Sequence, residues 1–207
     1  MDPTPYVREP GYALRYRDQR FRTASGPRTD ARERRALQRI LSGTQEVTGP
    51  WLDVPSGAGR MSGELPGRAI QVDRDPKMLA ASDGSRARAC ACATALPFAD
   101  ATFAGVLCCR LLQHLPTPAE RIAVLRELRR VSRGPVVATF FDRTSVQSLR
   151  RAIRRAMGKT RSGRGAISRA QFERDAVAAG LRVVRFVALR RFLTEQTFAL
   201  CVPISRA

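Results

Sequence analysis

The sequence predicts an α/β fold, a doubly wound and mostly parallel seven-stranded sheet with an antiparallel edge strand. Three observations carry this. Apolar runs of strand length alternate with segments of helical periodicity. The first run, 50–54, leads into Ser56-Gly57-Ala58-Gly59, where two residues without Cβ permit a tight turn and a close backbone approach. Two acids, Asp53 and Asp73, end consecutive strands 20 residues apart, about one βαβ half-unit.

The elements run in order along the chain. Residues 1–29 read as a polar, arginine-rich N-terminal arm in which Tyr12 and Tyr16 stand close together. Residues 30–207 read as one domain. Asp30 is placed to cap a helix over 31–41, with Ala36, Leu37, Ile40 and Leu41 on its apolar side. Strand one is 50–54, a short helix comes after Gly57, and strand two is 69–73. Pro76 opens a short helix through Ala81, and strands three and four cover 89–93 and 104–109. Thr117-Pro118-Ala119-Glu120 is a capping box with proline at the first helical position, and its helix ends near Ser132. Strand five, 135–141, is apolar throughout, as suits a parallel strand buried on both faces. Ser168-Arg169-Ala170-Gln171 reads as a second capping box, and Gly180 ends that helix. Strands over 181–187 and 196–202, joined by a short loop, complete the sheet as its antiparallel edge.

An insertion at 143–166 separates strand five from the last helix. Val146, Leu149, Ile153 and Met157 share one helical face, and Arg150, Arg151, Arg154 and Arg155 fill much of the rest. Three readings compete: a lid helix whose apolar face packs on the sheet, a basic amphipathic helix lying on an anionic membrane, and a nucleic-acid contact.

Composition narrows the classes. The chain has 207 residues, 43% of them hydrophobic, enough for one sizeable core. No apolar run is long enough to span a bilayer, and residues 1–10 lack the apolar core of a signal peptide, so a cytoplasmic protein is expected, at most peripheral at the inner membrane face. The cysteines Cys90, Cys92, Cys108, Cys109 and Cys201 form no C-x-x-C pair, and the one histidine is not at zinc spacing. They read as small buried residues, and no metal site is expected. Cys108 and Cys109 are adjacent in a strand and must face opposite sides. Net charge is +19, and of 37 basic residues only Lys77 and Lys159 are lysine. Arginine and alanine bias of this kind also arises from a GC-rich genome, but the excess of base still favours polyanions.

The glycine loop is not a P-loop, because no Gly-Lys-Ser/Thr comes after it. It also lacks the third glycine of a dinucleotide fingerprint, since position 62 is serine. A tight strand-to-helix turn without a ligand is the plain alternative. Three further segments succeed it in order: Val72-Asp73-Arg74-Asp75-Pro76-Lys77-Met78-Leu79, then Ala95-Leu96-Pro97-Phe98, then Leu111-Leu112-Gln113-His114-Leu115-Pro116. Together these resemble the class I S-adenosylmethionine-dependent methyltransferases, in particular the small-molecule branch of ubiquinone/menaquinone-type enzymes. The resemblance covers 51–142 well and extends loosely to 202.

That resemblance implies a Rossmann-like sheet, S-adenosylmethionine as cofactor, and roles for particular residues. The loop Asp53, Pro55, Ser56, Gly57, Gly59 would cradle the methionine end, with Pro55 standing where the family has its first glycine. Asp73 would accept hydrogen bonds from the ribose hydroxyls, Arg74 lies beside it, and Met78 would pack on the adenine. Cys92 stands where the family places an acid or amide for the adenine amino group, with Ala93 and Leu96 in the same segment. Gly105 stands where strand four often carries an acid. His114 and Arg110 lie just past strand four, at the edge where ligands bind in such sheets. His114 is a candidate general base or a structural histidine, and Arg110 is a candidate both for contacting the cofactor and for orienting an acidic acceptor. The acceptor implied is a small molecule, lipid-like or aromatic. The charge favours an RNA-directed enzyme instead, but the chain lacks an Asn/Asp-Pro-Pro-aromatic tetrad, a Pro-Cys pair and an aromatic-rich platform. A non-catalytic cofactor-binding scaffold is the third reading, and the oligomeric state is left open.

Overall fold

The computed structural model describes residues 11–19, 26–44, 48–157, 165–190 and 192–204. Seven strands form one sheet in the order β3-β2-β1-β4-β5-β7-β6. They are β1 (Trp51–Asp53), β2 (Ala69–Asp73), β3 (Arg88–Cys90), β4 (Gly105–Cys108), β5 (Val136–Phe141), β6 (Leu181–Ala188) and β7 (Gln196–Pro203). The first five are mutually parallel, while β7 lies between β5 and β6 and runs antiparallel to both. The C-terminal ends of β1, β2 and β4 therefore share one edge, with the order of the chain reversing at β1.

Alternation along the strands builds two cores. Leu52, Val106, Cys108, Val136 and Phe140 face α4 (Pro118–Val131) and α6 (Arg169–Ala178), where Phe140 stacks on Phe172 at 4.6 Å. Trp51, Leu107, Cys109 and Val137 face the other way, against Ala36, Leu37 and Ile40 of α2 (Gly26–Leu41). Cys108 and Cys109 thus lie on opposite faces, both buried. Cys90 is exposed and Cys92 half-buried, so the expectation that all five cysteines are buried fails: β3 is an edge strand with only β2 beside it. Gly105 has a packing explanation, since a Cβ there would lie 2.5–2.7 Å from the Trp51 ring across the β1–β4 pair.

The capping box at α4 is complete: Thr117 accepts from the Glu120 N–H, and Glu120 accepts from the Thr117 N–H. At α6 only half forms. Ser168 accepts from the Gln171 N–H, but the Gln171 amide turns away to Asp175. Three expectations change. Helix α2 begins at Gly26, so Asp30 lies inside it and accepts from Arg34 Nε at 2.8 Å rather than capping. No α-helix succeeds the glycine loop, because Gly63, Pro66 and Gly67 limit that segment to turns and a 3-10 turn at Ser62–Glu64. The third concerns α5 (Val146–Ala156), whose apolar face is not on the sheet: Leu149 and Ile153 are 60% and 50% exposed, whereas Ser145 and Ser148 are buried. Helix α1 (Tyr12–Gln19) has Tyr12 and Tyr16 stacked at 5.8 Å. Among the described residues no helix is long and apolar enough to cross a membrane.

Candidate functional site

The turn between β1 and β2 builds the site. Asp53 ends β1 fully buried and accepts from Ser62 Oγ at 2.7 Å, and Gln71 Nε2 donates to that hydroxyl at 3.0 Å. The chain then crosses a cis Val54–Pro55 peptide. The Ser56 N–H donates to the Val72 carbonyl at 2.8 Å, which pins the loop to β2. Gly57 and Gly59 take φ of +55° and +78°, the left-handed region where side chains other than glycine are strained.

Asp73 ties the loop to α3 (Pro76–Ala80). One carboxylate oxygen accepts from the Gly57 N–H at 2.8 Å and the other from the Asp75 N–H at 2.9 Å. Asp75 in turn caps α3 by accepting from the Lys77 N–H. Met78, on that helix, is buried with its methyl 3.3 Å from where a Gly57 Cβ would be. Helix α1 packs over this corner, with Ala13, Tyr12 and Tyr16 against Met78 and Ala58. The structure therefore brings Asp53, Ser56, Gly57, Gly59, Asp73 and Met78 together, with Pro55 in the loop and Arg74 exposed just beyond Asp73.

The next segment borders the same corner. The Ala91 N–H donates to the Asp73 carbonyl at 3.2 Å, and residues 92–95 form a turn in which Cys92 Sγ lies 3.2 Å from Thr94 Oγ1. Ala93 is half-buried there. Leu96 is in the core, and its N–H is committed to Glu127 at 2.7 Å, so it contributes packing rather than a backbone donor.

Glu33, and its pairing with Arg110, form the part that sequence reasoning missed. Arg110 lies two residues past the end of β4 with φ +63°, and its N–H donates to Thr139 Oγ1 at 2.7 Å. Its guanidinium already holds an acid of this chain. It grips Glu33 at 2.7 Å, and Glu33 has no exposed surface. Arg60, just past the glycine loop, reaches the same carboxylate at 2.5 Å and also pairs with Asp30. Burial alone would raise the Asp30 carboxyl, but bonds from Arg34 and Arg60 hold it below its ordinary value. Helix α2 is thereby fastened to both the loop and the end of β4. A signal existed in the sequence: Glu33 lies four and seven residues before Leu37 and Ile40, on the helix's apolar stripe. His114 ends a 3-10 turn at Leu112–His114 on the same edge and is exposed. Among the described residues no three His, Cys, Asp or Glu side chains converge as a metal site.

Burial pushes the Asp53 carboxyl up to about 7, against the lowering effect of the Ser62 hydroxyl and Arg60. Unfolded, the group titrates near 3.8. The folded chain thus keeps a proton that the unfolded chain releases. This contribution to stability is complete below the unfolded value and is lost as pH rises through about 7. Asp53→Asn, which stays neutral, is expected to gain stability relative to the parent protein as pH rises from 4 to 8, read by urea denaturation along the pH series. A difference independent of pH would refute it.

Residues 52–135 match the family model described as a methyltransferase domain. No curated protein matches the chain. Among solved structures, the magnesium protoporphyrin IX methyltransferase of Synechocystis PCC 6803 with bound S-adenosylhomocysteine is 13% identical, covering 87% of this chain and 89% of its own, at TM-score 0.67. The PH0226 protein of Pyrococcus horikoshii OT3 is 18% identical, with 92% and 98% covered and TM-score 0.69. An S-adenosylmethionine-dependent methyltransferase of Clostridium acetobutylicum ATCC 824 is 11% identical, with 92% and 96% covered and TM-score 0.66. Likeness at this identity carries the fold, and the family model covers β1 to β4 and α4. Together they show a methyltransferase-like α/β fold with a methyltransferase domain over 52–135.

Proposed function

We propose that this protein transfers a methyl group from S-adenosylmethionine to a small lipid-like or aromatic acceptor, as enzymes of the ubiquinone/menaquinone type do, working in the cytoplasm and peripherally at the inner face of the membrane. The observation that carries the acceptor class is the outward apolar face of α5, which comes after β5 on the ligand-binding edge. The charge of +19 favours RNA as the second reading.

The residues present fit the cofactor. The Asp73 carboxylate closes β2 beside the left-handed glycine loop and holds the Gly57 N–H, and a carboxylate suits paired hydroxyl donors. When bound, the sulfonium supplies an activated methyl carbon. The chain's task is then to hold donor and acceptor in line. Asp53, Pro55, Ser56, Gly57 and Gly59 cradle the methionine end, Asp73 takes the ribose hydroxyls with Arg74 beside it, and Met78, Cys92, Ala93 and Leu96 border the adenine. Arg110, fixed by Glu33, positions the acceptor rim. His114 takes a proton where the acceptor must lose one.

Asp73→Ala is expected to weaken S-adenosylhomocysteine binding by about 1–3 kcal/mol, because the ribose hydroxyls lose a charged partner and the loop loses its tie to β2. Calorimetric titration measures this, and unchanged affinity would remove Asp73 from the site. The function itself is tested by assaying labelled methyl transfer to hydroquinones and phenols with apolar tails, with RNA as the competing acceptor. Transfer to RNA alone would overturn the small-molecule reading.

A further inference from the structure

The described residues include ten large apolar side chains that stand exposed, and six of them lie on two joined segments: Val146, Leu149 and Ile153 on α5 with Met157 just past its end, and Phe192 and Leu193 in the turn between β6 and β7. The two elements are joined by a 2.8 Å bond from the Val146 N–H to the Phe192 carbonyl. Helix α5 is inside out by the usual rule. It turns buried Ser145 and Ser148 toward the protein and leaves Leu149, Ile153 and Met157 between 50% and 60% exposed. Phe192 is held at φ +63°, an uncommon conformation for an aromatic residue, with 61% of its surface exposed. Exposed Arg150 and Arg154 stand on the same helix.

We propose that α5 and the Phe192-Leu193 turn form one docking surface for an anionic lipid bilayer. The apolar side chains enter the acyl boundary, and the arginines meet the headgroup phosphates. The charge pattern selects this occupant. A nucleic acid offers phosphates but nothing to cover six apolar side chains. A second copy would set arginine against arginine on chains that each carry +19. The position serves the chemistry as well. The segment returning from α5 bonds to the turn that bears His114, through the Gly165 N–H and the Gln113 carbonyl at 2.8 Å, so a docked face puts the acceptor rim against the lipid. The inference rests on the peripheral reading above and names the surface that would perform it.

The test is cosedimentation of the full chain with vesicles of phosphatidylcholine, alone or mixed with phosphatidylglycerol, at about 0.15 M salt and at high salt. Two double variants are compared, Leu149→Ser with Ile153→Ser and Phe192→Ser with Leu193→Ser, with S-adenosylhomocysteine titration as the control for folding. The expected result is binding to the mixed vesicles that partly survives high salt. Each double variant should bind at least tenfold more weakly, which the loss of about two immersed methylenes already gives, and titrate S-adenosylhomocysteine like the parent. Parent and variants binding alike, and releasing alike at high salt, would overturn this surface while leaving peripheral attachment by general charge. No vesicle binding by the parent would overturn both surface and location, while methyl transfer would still be judged by its own assay. A parent that self-associates, with variants that do not, would overturn the lipid in favour of a second copy.

Discussion

Glu33→Ala is expected to destabilise the protein by about 3–5 kcal/mol, the range for removing one partner of a buried ion pair. Glu33 is fully buried and holds Arg60 and Arg110, each about four-fifths buried. Neither guanidinium can lose its proton, so the variant takes a buried carboxylate from two desolvated charges and opens a small cavity. Arg60 keeps Asp30, which it shares with Arg34, but loses the fully buried carboxylate that ties it to Arg110. Affinity for S-adenosylhomocysteine should fall too, since Arg60 adjoins the glycine loop. Urea denaturation measures the first effect and calorimetry the second. A loss below about 1 kcal/mol, the value of an exposed pair, would show that the network does not act as a unit. Glu33→Gln keeps the shape and should fall between alanine and the parent.

Gly59→Val should be the most damaging change in the loop. Its φ of +78° costs a side chain about 1–2 kcal/mol. Its Cβ would overlap Gln71 Nε2 and lie 3.2 Å from Gln71 Cδ. Gln71 cannot swing aside, being 1% exposed and hydrogen-bonded to Ser62, which itself holds Asp53. Overpacking of this kind costs about 1–3 kcal/mol more. The loop must therefore move, and S-adenosylhomocysteine binding is expected to weaken by about a hundredfold, equivalent to about 2.7 kcal/mol. Gly43→Val separates the two causes. Gly43 has a similar φ of +74° but nothing within 4 Å, so it should show the backbone cost and keep the ligand. Equal loss of binding in both variants would mean that the site depends on global stability rather than on loop shape.

Much of the fold was legible because its signals are local. Hydrophobic runs placed all seven strands to within a few residues, Thr117 and Glu120 marked the start of α4, and the Cys108-Cys109 alternation put one thiol in each core. The loop and Asp73 were legible too, since glycines and an acid at strand ends leave a readable spacing. Other features were hidden because they depend on what lies across the sheet. Gly105 looked like a missing acid until the Trp51 ring was found in that space. Asp30 looked like a cap until Arg60 drew it into a network spanning 30 residues.

The sequence by itself determined the doubly wound sheet, the turn that bears the glycines, and the acids that end β1 and β2, because periodicity, capping and glycine stereochemistry act within a few residues. Only the tertiary structure decided that Arg110 is neutralised by a buried Glu33 and that α5 turns its apolar face outward. Helical periodicity says which side chains share a face. It does not say whether that face meets protein or solvent, because that depends on the surface the rest of the chain leaves uncovered.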